Sequence, residues 1–350
     1  MAKKVTIKDI AQRANVSPAS VSMILNGKSI TRFSEETINQ VYQIAYELGY
    51  EGKHARQSRN PVYIICPSIM NPYYATLIQS MEQEARSRGY RTVILTTYWD
   101  AETELSAMEL ARNQHAAGVI FSMIPQQPEL AVELNKTVPV VTVGDRKNDI
   151  SLDTVDVNNY NAGRMVAQHL IELGHKHVAY VSTTLNSDHS ARVRRCLGLQ
   201  DEYLHACPEG DVKIFSTEVS SNTELHVTDI EHAIGYQMTQ KCLEEASEVT
   251  AIVAINDMVA YGAIDAVKDA GFKIPEDYSI CGFDNIYPSS FDGVQLTTIE
   301  HAIVERGKGA FRLLAERLTP QKGLADTGAI TRLEYKSSLV VRKTTAPPSR

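Results

Sequence analysis

From Pro61 onward, short apolar runs alternate with amphipathic stretches, and this alternation limits the fold more than any other feature of the chain. Val62-Tyr63-Ile64-Ile65-Cys66, Thr92-Val93-Ile94-Leu95 and Gly118-Val119-Ile120-Phe121 are separated by helical patterns through Tyr74–Arg88 and Glu102–Gln114. The rhythm continues with Val138–Val143, His177–Val181, Ala251–Ile255 and Tyr278–Phe283. Strands that are apolar throughout are buried on both faces, and strands separated by helices run parallel. The expectation is α/β architecture with doubly wound parallel sheets. Ligands in such sheets bind beyond the carboxyl ends of the strands. Those ends read Ser68 with Asn71-Pro72-Tyr73, Tyr98-Trp99-Asp100, Ser122, Asp145-Arg146, Asn256-Asp257 and Asp284-Asn285. Carboxylates and amides exchange hydrogen bonds with hydroxyls, and aromatic rings stack on the apolar face of a sugar, so a polyhydroxylated ligand fits the set. For any one of these residues, a helix N-cap is the alternative reading.

The first sixty residues follow a different period. Thr6 is placed as an N-cap, with Asp9 three residues on and Ile7, Ile10, Ala11 and Ala14 at helical spacing. Asn15-Val16 breaks the helix and Ser17-Pro18 starts another, because serine caps and proline suits the first turn. Val21, Ile24 and Leu25 form its apolar face, leaving Ala19, Ser20, Ser22 and Met23 outside, before Asn26-Gly27. A third helix opens at Ser34 and runs through Ile38, Val41, Ile44, Ala45 and Leu48 to Gly49. Helix, tight turn and helix, with short polar side chains starting the second helix, suit entry into the major groove of DNA. A small helical cap on an enzyme is the alternative.

Net charge is −7, unevenly spread: residues 1–60 hold nine Lys/Arg and five Asp/Glu, the rest 26 and 37. A basic head on an acidic body fits a DNA-binding module joined to a domain that does not touch DNA. The five cysteines (Cys66, Cys196, Cys207, Cys242, Cys281) form no Cys-x-x-Cys pair and read as buried thiols. No run of about 18 apolar residues and no secretory start occur, so a cytoplasmic protein is expected. Gly-x-Ser-x-Gly, His-Glu-x-x-His and the phosphate loop Gly-x-x-x-x-Gly-Lys-Ser/Thr are all missing, which argues for a non-enzyme without cofactor or metal.

The stretch Val5-Thr6-Ile7-Lys8-Asp9-Ile10-Ala11, Ala14 to Gly27, Ser34-Glu35-Glu36-Thr37 and Glu47-Leu48-Gly49-Tyr50 resembles the headpiece of LacI-type bacterial transcription regulators. Asn71-Pro72-Tyr73-Tyr74, Asn158-Asn159 with Ala162-Gly163, His169–His175, Ala251–Asp257, Gly282-Phe283-Asp284 and Leu296–Ile299 resemble that family's effector domain, which is similar to periplasmic sugar-binding proteins. The resemblance implies a homodimeric repressor on an inverted-repeat operator, responsive to a sugar or sugar derivative in a cleft between two lobes. Control by a phosphocarrier-type protein corepressor is the alternative, and a solute-binding protein a more distant one.

By the same resemblance Thr6, Ser17, Pro18, Ala19, Ser20, Ser22, Met23, Asn26, Tyr50, Ala55 and Arg56 lie at or beside the DNA. The effector set is Tyr73, Asp100, Arg195 (three before Gly198), Asn256 and Asp284, with Asp145 and Asp257 as weaker members. The domains are expected at 1–53, a hinge at 54–60, one lobe from 61–173 and 289–320, the other from 174–288 and 321–343, and a disordered tail 344–350. The chain departs from the family at Met23, where arginine is usual, at Ser58, where the hinge has a leucine, at Asn158-Asn159 for Asp-Asn, and at His301 for glutamine. Residues 183–195 concentrate polar and basic groups able to reach a phosphate or carboxylate, or else mark a solvated helix start.

Overall fold

The structure, a computed structural model, describes residues 5–25, 32–48, 50, 60–144, 150–186, 190–318 and 329–349. Three helices come first: α1 (Ile7–Ala14), α2 (Pro18–Leu25) and α3 (Glu35–Glu47). At the start of α1 the Asp9 carboxylate accepts from the Thr6 backbone N–H at 2.7 Å and from its hydroxyl at 2.6 Å. Ser17 caps α2 by accepting from Ser20 N–H at 3.0 Å, and the Tyr42 hydroxyl donates to the Ile24 carbonyl at 2.9 Å, tying α3 to α2. Ile10, Ala11, Ala14, Val21, Ile24, Val41, Ile44 and Ala45 form one small core. Helices of eight residues are marginal alone, so this packing holds them.

The body continues β1 (Val62–Cys66), α4 (Pro72–Ser87), β2 (Thr92–Thr96), α5 (Ala101–Asn113), β3 (Gly118–Phe121), α6 (Pro128–Asn135), β4 (Val140–Gly144), β5 (Asp153–Val157) and α7 (Asn159–Glu172). Next come β6 (His177–Ser182), α8 (Ser190–Ala206), β7 (Asp211–Ser216), α9 (Ser221–His226), α10 (Ile230–Glu245), β8 (Ala251–Ala254) and α11 (Asp257–Asp269). The chain closes with β9 (Ser279–Asp284), β10 (Thr297–Glu300), α12 (Ile303–Leu318), β11 (Arg332–Tyr335) and β12 (Ser338–Val340).

Two six-stranded sheets result, in the orders β2-β1-β3-β4-β5-β11 and β7-β6-β8-β9-β10-β12. The first is parallel throughout, and in the second only β12 runs antiparallel. The pleat explains the unbroken apolar run of β1. Val62, Ile64 and Cys66 enter the core under α4 and α12, while Tyr63 and Ile65 enter the one under α5 and α6. All five cysteines are buried and free. No helix among the described residues is long and apolar enough to cross a membrane.

The chain passes between lobes at different places from those expected. Helix α7 packs on α8 and β12, β10 pairs with β9, and α12 packs on α4 and the first sheet. The passages therefore fall near residues 158, 301 and 336, not 173, 289 and 320. Each is only a couple of residues long and carries no Gly/Pro linker to mark it. The expected disordered tail is also corrected, because residues 344–349 dock on the second lobe. Thr344 is buried, accepts from Thr297 N–H at 2.8 Å, donates its hydroxyl to the Ile280 carbonyl at 2.7 Å, and through its own carbonyl accepts from Ile280 N–H at 2.7 Å. Ala346 accepts from the His175 ring at 2.9 Å. Small polar residues read as disordered by composition, yet here they complete hydrogen bonds that β9 and β10 leave open.

Candidate DNA interface and ligand cleft

The outer start of α2 presents Ser17, Pro18 and Ala19 to solvent, with Ser20, Ser22 and Met23 half-buried. Ser17 is partly committed, since its oxygen also lies 2.8 Å from the Ser20 hydroxyl. The Thr6 hydroxyl is spent on Asp9. Tyr50 packs against the three-helix core. Asn26, Ala55, Arg56 and the hinge departure at Ser58 lie outside the described residues, as does Asp145.

Between the two sheets lies a cavity of about 150 Å³. It is built from strand ends, as parallel sheets dictate. Pro67 and Ser68 follow β1, Trp99 follows β2, and Ser122, Met123 and Ile124 follow β3; Ile255 and Asn256 follow β8, and Asp284 ends β9. Of the expected ligand residues, Tyr73, Arg195, Asn256 and Asp284 line it together. Two others do not. Asp100 caps α5, accepting from Thr103 N–H at 2.7 Å and its hydroxyl at 2.6 Å, so the N-cap alternative holds for it. Asp257 is buried behind the cleft wall and accepts from the Thr298 hydroxyl at 2.6 Å, the Ser289 hydroxyl at 2.5 Å and Ile286 N–H at 3.0 Å. Burial, and then the neighbouring Asp284 charge, push its carboxyl up to about 7. Asp257→Ala is expected to cost about 3 kcal/mol of stability, by orphaning buried donors, while cleft affinity per folded molecule stays put. Thermal denaturation beside a binding titration checks it, and lost affinity in a stable protein would return Asp257 to the ligand set.

Arg195 is positioned by a close helix crossing. A Cβ at Gly163 on α7 would collide with the Arg195 carbonyl, and one at Gly198 on α8 with the Tyr160 carbonyl. Glycine at both sites lets α7 and α8 approach backbone to backbone. The Arg195 guanidinium then donates to Asn159 Oδ1 at 2.8 Å, to the Ile255 carbonyl at 2.5 Å and to Asp284 Oδ1 at 3.2 Å. It stands 4.8 Å over the Phe283 ring, and its Nη2 is 3.2 Å from His301 Nε2.

His301 is fully buried, and burial followed by the Arg195 and Arg306 charges holds its pKa well below the ordinary range. The ring is therefore neutral: Nε2 accepts from Arg195, which leaves Nδ1–H to donate to the Ser337 hydroxyl at 3.0 Å. Asn159, His301 and Ser337 sit at the three lobe passages, so one guanidinium is wired to all of them. Of the family departures, His301 is a member of this network, while Asn158, which stands for the family's Asp, is next to Asn159 and caps α7 by accepting from Asn161 N–H at 2.9 Å. Asp284 sits at φ 109° and Ala302, beside His301, at φ 52°, strained values for residues with a Cβ. Burial raises the Asp284 carboxyl to about 6 despite Arg195 and Arg306.

Glu231, Ser221 and Glu224, which sequence reasoning passed over, complete the site together with Trp99 and with Arg192 of the polar stretch 183–195. Glu231 on α10 accepts from Asn71 Nδ2 of the first lobe at 2.6 Å and from Asn256 Nδ2 of the second at 2.8 Å. Ser221 on α9 donates to the Trp99 carbonyl at 3.0 Å, and Arg192 lies 5.8 Å from the Trp99 ring centroid. These contacts clasp the lobes along the cleft mouth. Glu224, also in the lining, is pushed by burial up to about 7. No short motif marks Glu231 or Glu224, which come from the lobe's less regular α9–α10 segment.

A three-helix head with an exposed, capped second helix, carried on two lobes that enclose a polar cleft, defines a DNA-binding regulator with a ligand-sensing domain. The comparisons agree with this class. Residues 6–52 match the family described as bacterial regulatory proteins, lacI family, and residues 60–337 match the periplasmic binding proteins and sugar binding domain of LacI family. The chain belongs to the LacI family. It is 28% identical over 349 residues to the HTH-type transcriptional repressor PurR of Haemophilus influenzae, covering 97% of this chain and 98% of that one. A LacI family transcriptional regulator from Enterococcus faecium, solved with bound ribose, aligns at TM-score 0.69 and 26% identity, over 82% of this chain and 99% of its own. The lac repressor dimer bound to operator and an anti-inducer shares the fold at TM-score 0.68 and 22% identity, over 98% of this chain and 100% of its own.

Proposed function

We propose that this protein is a cytoplasmic transcription repressor that binds an inverted-repeat operator as a homodimer and is controlled by a sugar-like effector in the interlobe cleft. The observation that carries the reading is the wiring of Arg195. A residue in the cleft wall is hydrogen-bonded to two lobe passages, through Asn159 and His301, and reaches the third through the His301–Ser337 hydrogen bond, so a ligand that changes its partners changes the angle between lobes. Linkage then couples cleft to DNA by the ligand's differential affinity for the two lobe arrangements.

On the DNA side, Ser17, Pro18, Ala19, Ser20, Ser22 and Met23 face the major groove, while Thr6, Asn26, Tyr50, Ala55 and Arg56 support the backbone contacts. Two copies of α2 about one helical turn apart read the two half-sites. Methionine at position 23 gives no bidentate contact to guanine, so base reading rests on short polar groups and shape. In the cleft, Tyr73 and Trp99 supply aromatic faces, and Asn256, Asp284 and Arg195 supply hydrogen bonds. A bound ribose in the Enterococcus faecium relative supports the sugar class.

The test is capture of fragmented genomic DNA by the purified protein at physiological salt, since phosphate contacts make affinity salt-dependent. A shared inverted repeat upstream of a few genes is expected. Candidate sugars are then titrated against the captured complex. Retention of no common sequence would remove the operator half of the proposal, and complexes indifferent to every sugar would remove the sensing half.

A further inference from the structure

Arg306, on α12 of the first lobe, reaches the cleft although it is only 1% exposed. Its Nη1 donates to the Tyr73 hydroxyl at 2.9 Å, and its guanidinium carbon stands 5.9 Å from the Tyr73 ring centroid. Its Nε has no hydrogen-bond partner. Among the described residues no carboxylate is ion-paired with it, and three of the cleft's acids are committed in other ways. Asp284 faces Arg195 at 3.2 Å, Glu231 holds the two asparagine amides, and Glu224 is drawn toward its neutral form by burial.

Removing a guanidinium from water is costly unless charge and hydrogen bonds replace the solvent. A tyrosine hydroxyl and ring supply only part of that. Ser122, in the same lining, likewise has a buried hydroxyl without a partner. A buried cation with an open donor, beside an unsatisfied hydroxyl and against a polar aromatic cleft, calls for an oxyanion as its complement.

We infer that the effector is an anionic sugar, a carboxylate or phosphate ester of a polyol, whose charged group is received by Arg306 with Tyr73 and Ser122 beside it. This rests on the sensing reading above and narrows its ligand class. The sugar body then lies toward Trp99, Asn256 and Arg195, and the anion toward α12. Because the site is built around a fixed charge, a neutral sugar leaves Arg306 uncompensated and binds more weakly.

The experiment uses the full-length protein at constant ionic strength and follows both thermal shift and calorimetric titration. D-Gluconate, D-glucuronate and D-galacturonate form the carboxylate arm, D-glucose 6-phosphate and D-ribose 5-phosphate the phosphate arm, and D-glucose, D-galactose and D-ribose the neutral arm. At least one anionic sugar is expected to bind tenfold or more tightly than its neutral parent, and the arm it belongs to names the group. Arg306→Met is expected to erase that preference, and Arg306→Lys to keep part of it. A cooperative thermal transition of Arg306→Met in the absence of sugar shows that the fold is kept, which separates loss of the charge from loss of the fold. Neutral sugars binding as tightly as anionic ones, or anion preference surviving in Arg306→Met, overturns the inference and leaves the sensing reading standing. Silence from all three arms overturns both.

Discussion

Arg195→Met is expected to destabilise the body of the protein by about 3–5 kcal/mol at pH 8, the cost of leaving a buried charge without its partner. The variant keeps the apolar stem over Phe283 but deletes the donors to Asn159, Ile255, Asp284 and His301. The loss depends on pH, and its sign follows from Asp284. In the wild type that carboxyl titrates at about 6, above the unfolded value of about 3.9. Between those values the folded chain holds a proton that the unfolded chain has released, so the Asp284 contribution falls as pH rises from about 4 through 6 and is level above. Without Arg195 the folded carboxyl titrates higher still, and the decline runs on past neutrality. The variant is therefore closer to wild type at pH 5 than at pH 8, by about 1.4 kcal/mol for each unit the carboxyl moves. Urea denaturation at the two pH values measures this. An equal loss at both would mean that packing over Phe283, not charge, is what Arg195 contributes. The network at the three passages goes with the side chain, so the effector-driven change in DNA affinity should disappear too.

Ile24→Ala is expected to abolish DNA binding while leaving the two-lobed body intact. Ile24 is fully buried in a core of eight buried residues among those described, shared among two helices of eight residues and one of thirteen. Truncating a buried isoleucine costs about 2–5 kcal/mol. A unit this small has little more than that in total stability. The measurement pairs retention of genomic fragments with denaturation followed separately for head and body. Retention should fall to background, the headpiece should show no cooperative transition of its own and the body transition should not move. Loss of retention with a folded headpiece would instead place Ile24 in DNA contact, against its burial.

The headpiece was the most legible part of the sequence, because its signals are local: Thr6 with Asp9, Ser17-Pro18, and apolar residues at helical spacing gave α1 and α2 from residues a few positions apart. Continuous Val/Ile runs likewise revealed β1–β4, β6, β8 and β9, whereas β5, β7, β10, β11 and β12 carry charged or hydroxyl residues that break such runs. What the sequence did not display is long-range. The lobe passages are marked by no composition change, so the expected boundaries erred by up to some sixteen residues. Asp100 and Asp257 carry the same strand-end signature as Asp284, and only the fold distinguishes a cap and a buried brace from a cleft wall. Arg306 sits on a helix whose pattern reads as ordinary amphipathic. Its interest comes from burial and from the missing partner, neither of which is a property of the sequence near it. Thr344 and its neighbours look like a solvated tail because the groups they satisfy belong to β9 and β10, more than 40 residues earlier.

The interleaved course of the lobes bears on how the protein is made. The first sheet is not complete until β11 at residues 332–335 joins β5, and α12, which covers its core, is almost as late. The second sheet waits for β10, β12 and Thr344. The three-helix unit, by contrast, uses only residues 5–50. Domains fold as their residues emerge from the ribosome, N-terminal first. A nascent chain thus acquires its reading head long before it has a sensor, and most of its synthesis passes with both sheets lacking their final strands. A chain that reaches β10 but not β11 holds the residues of its head and lacks the final strand of both sheets.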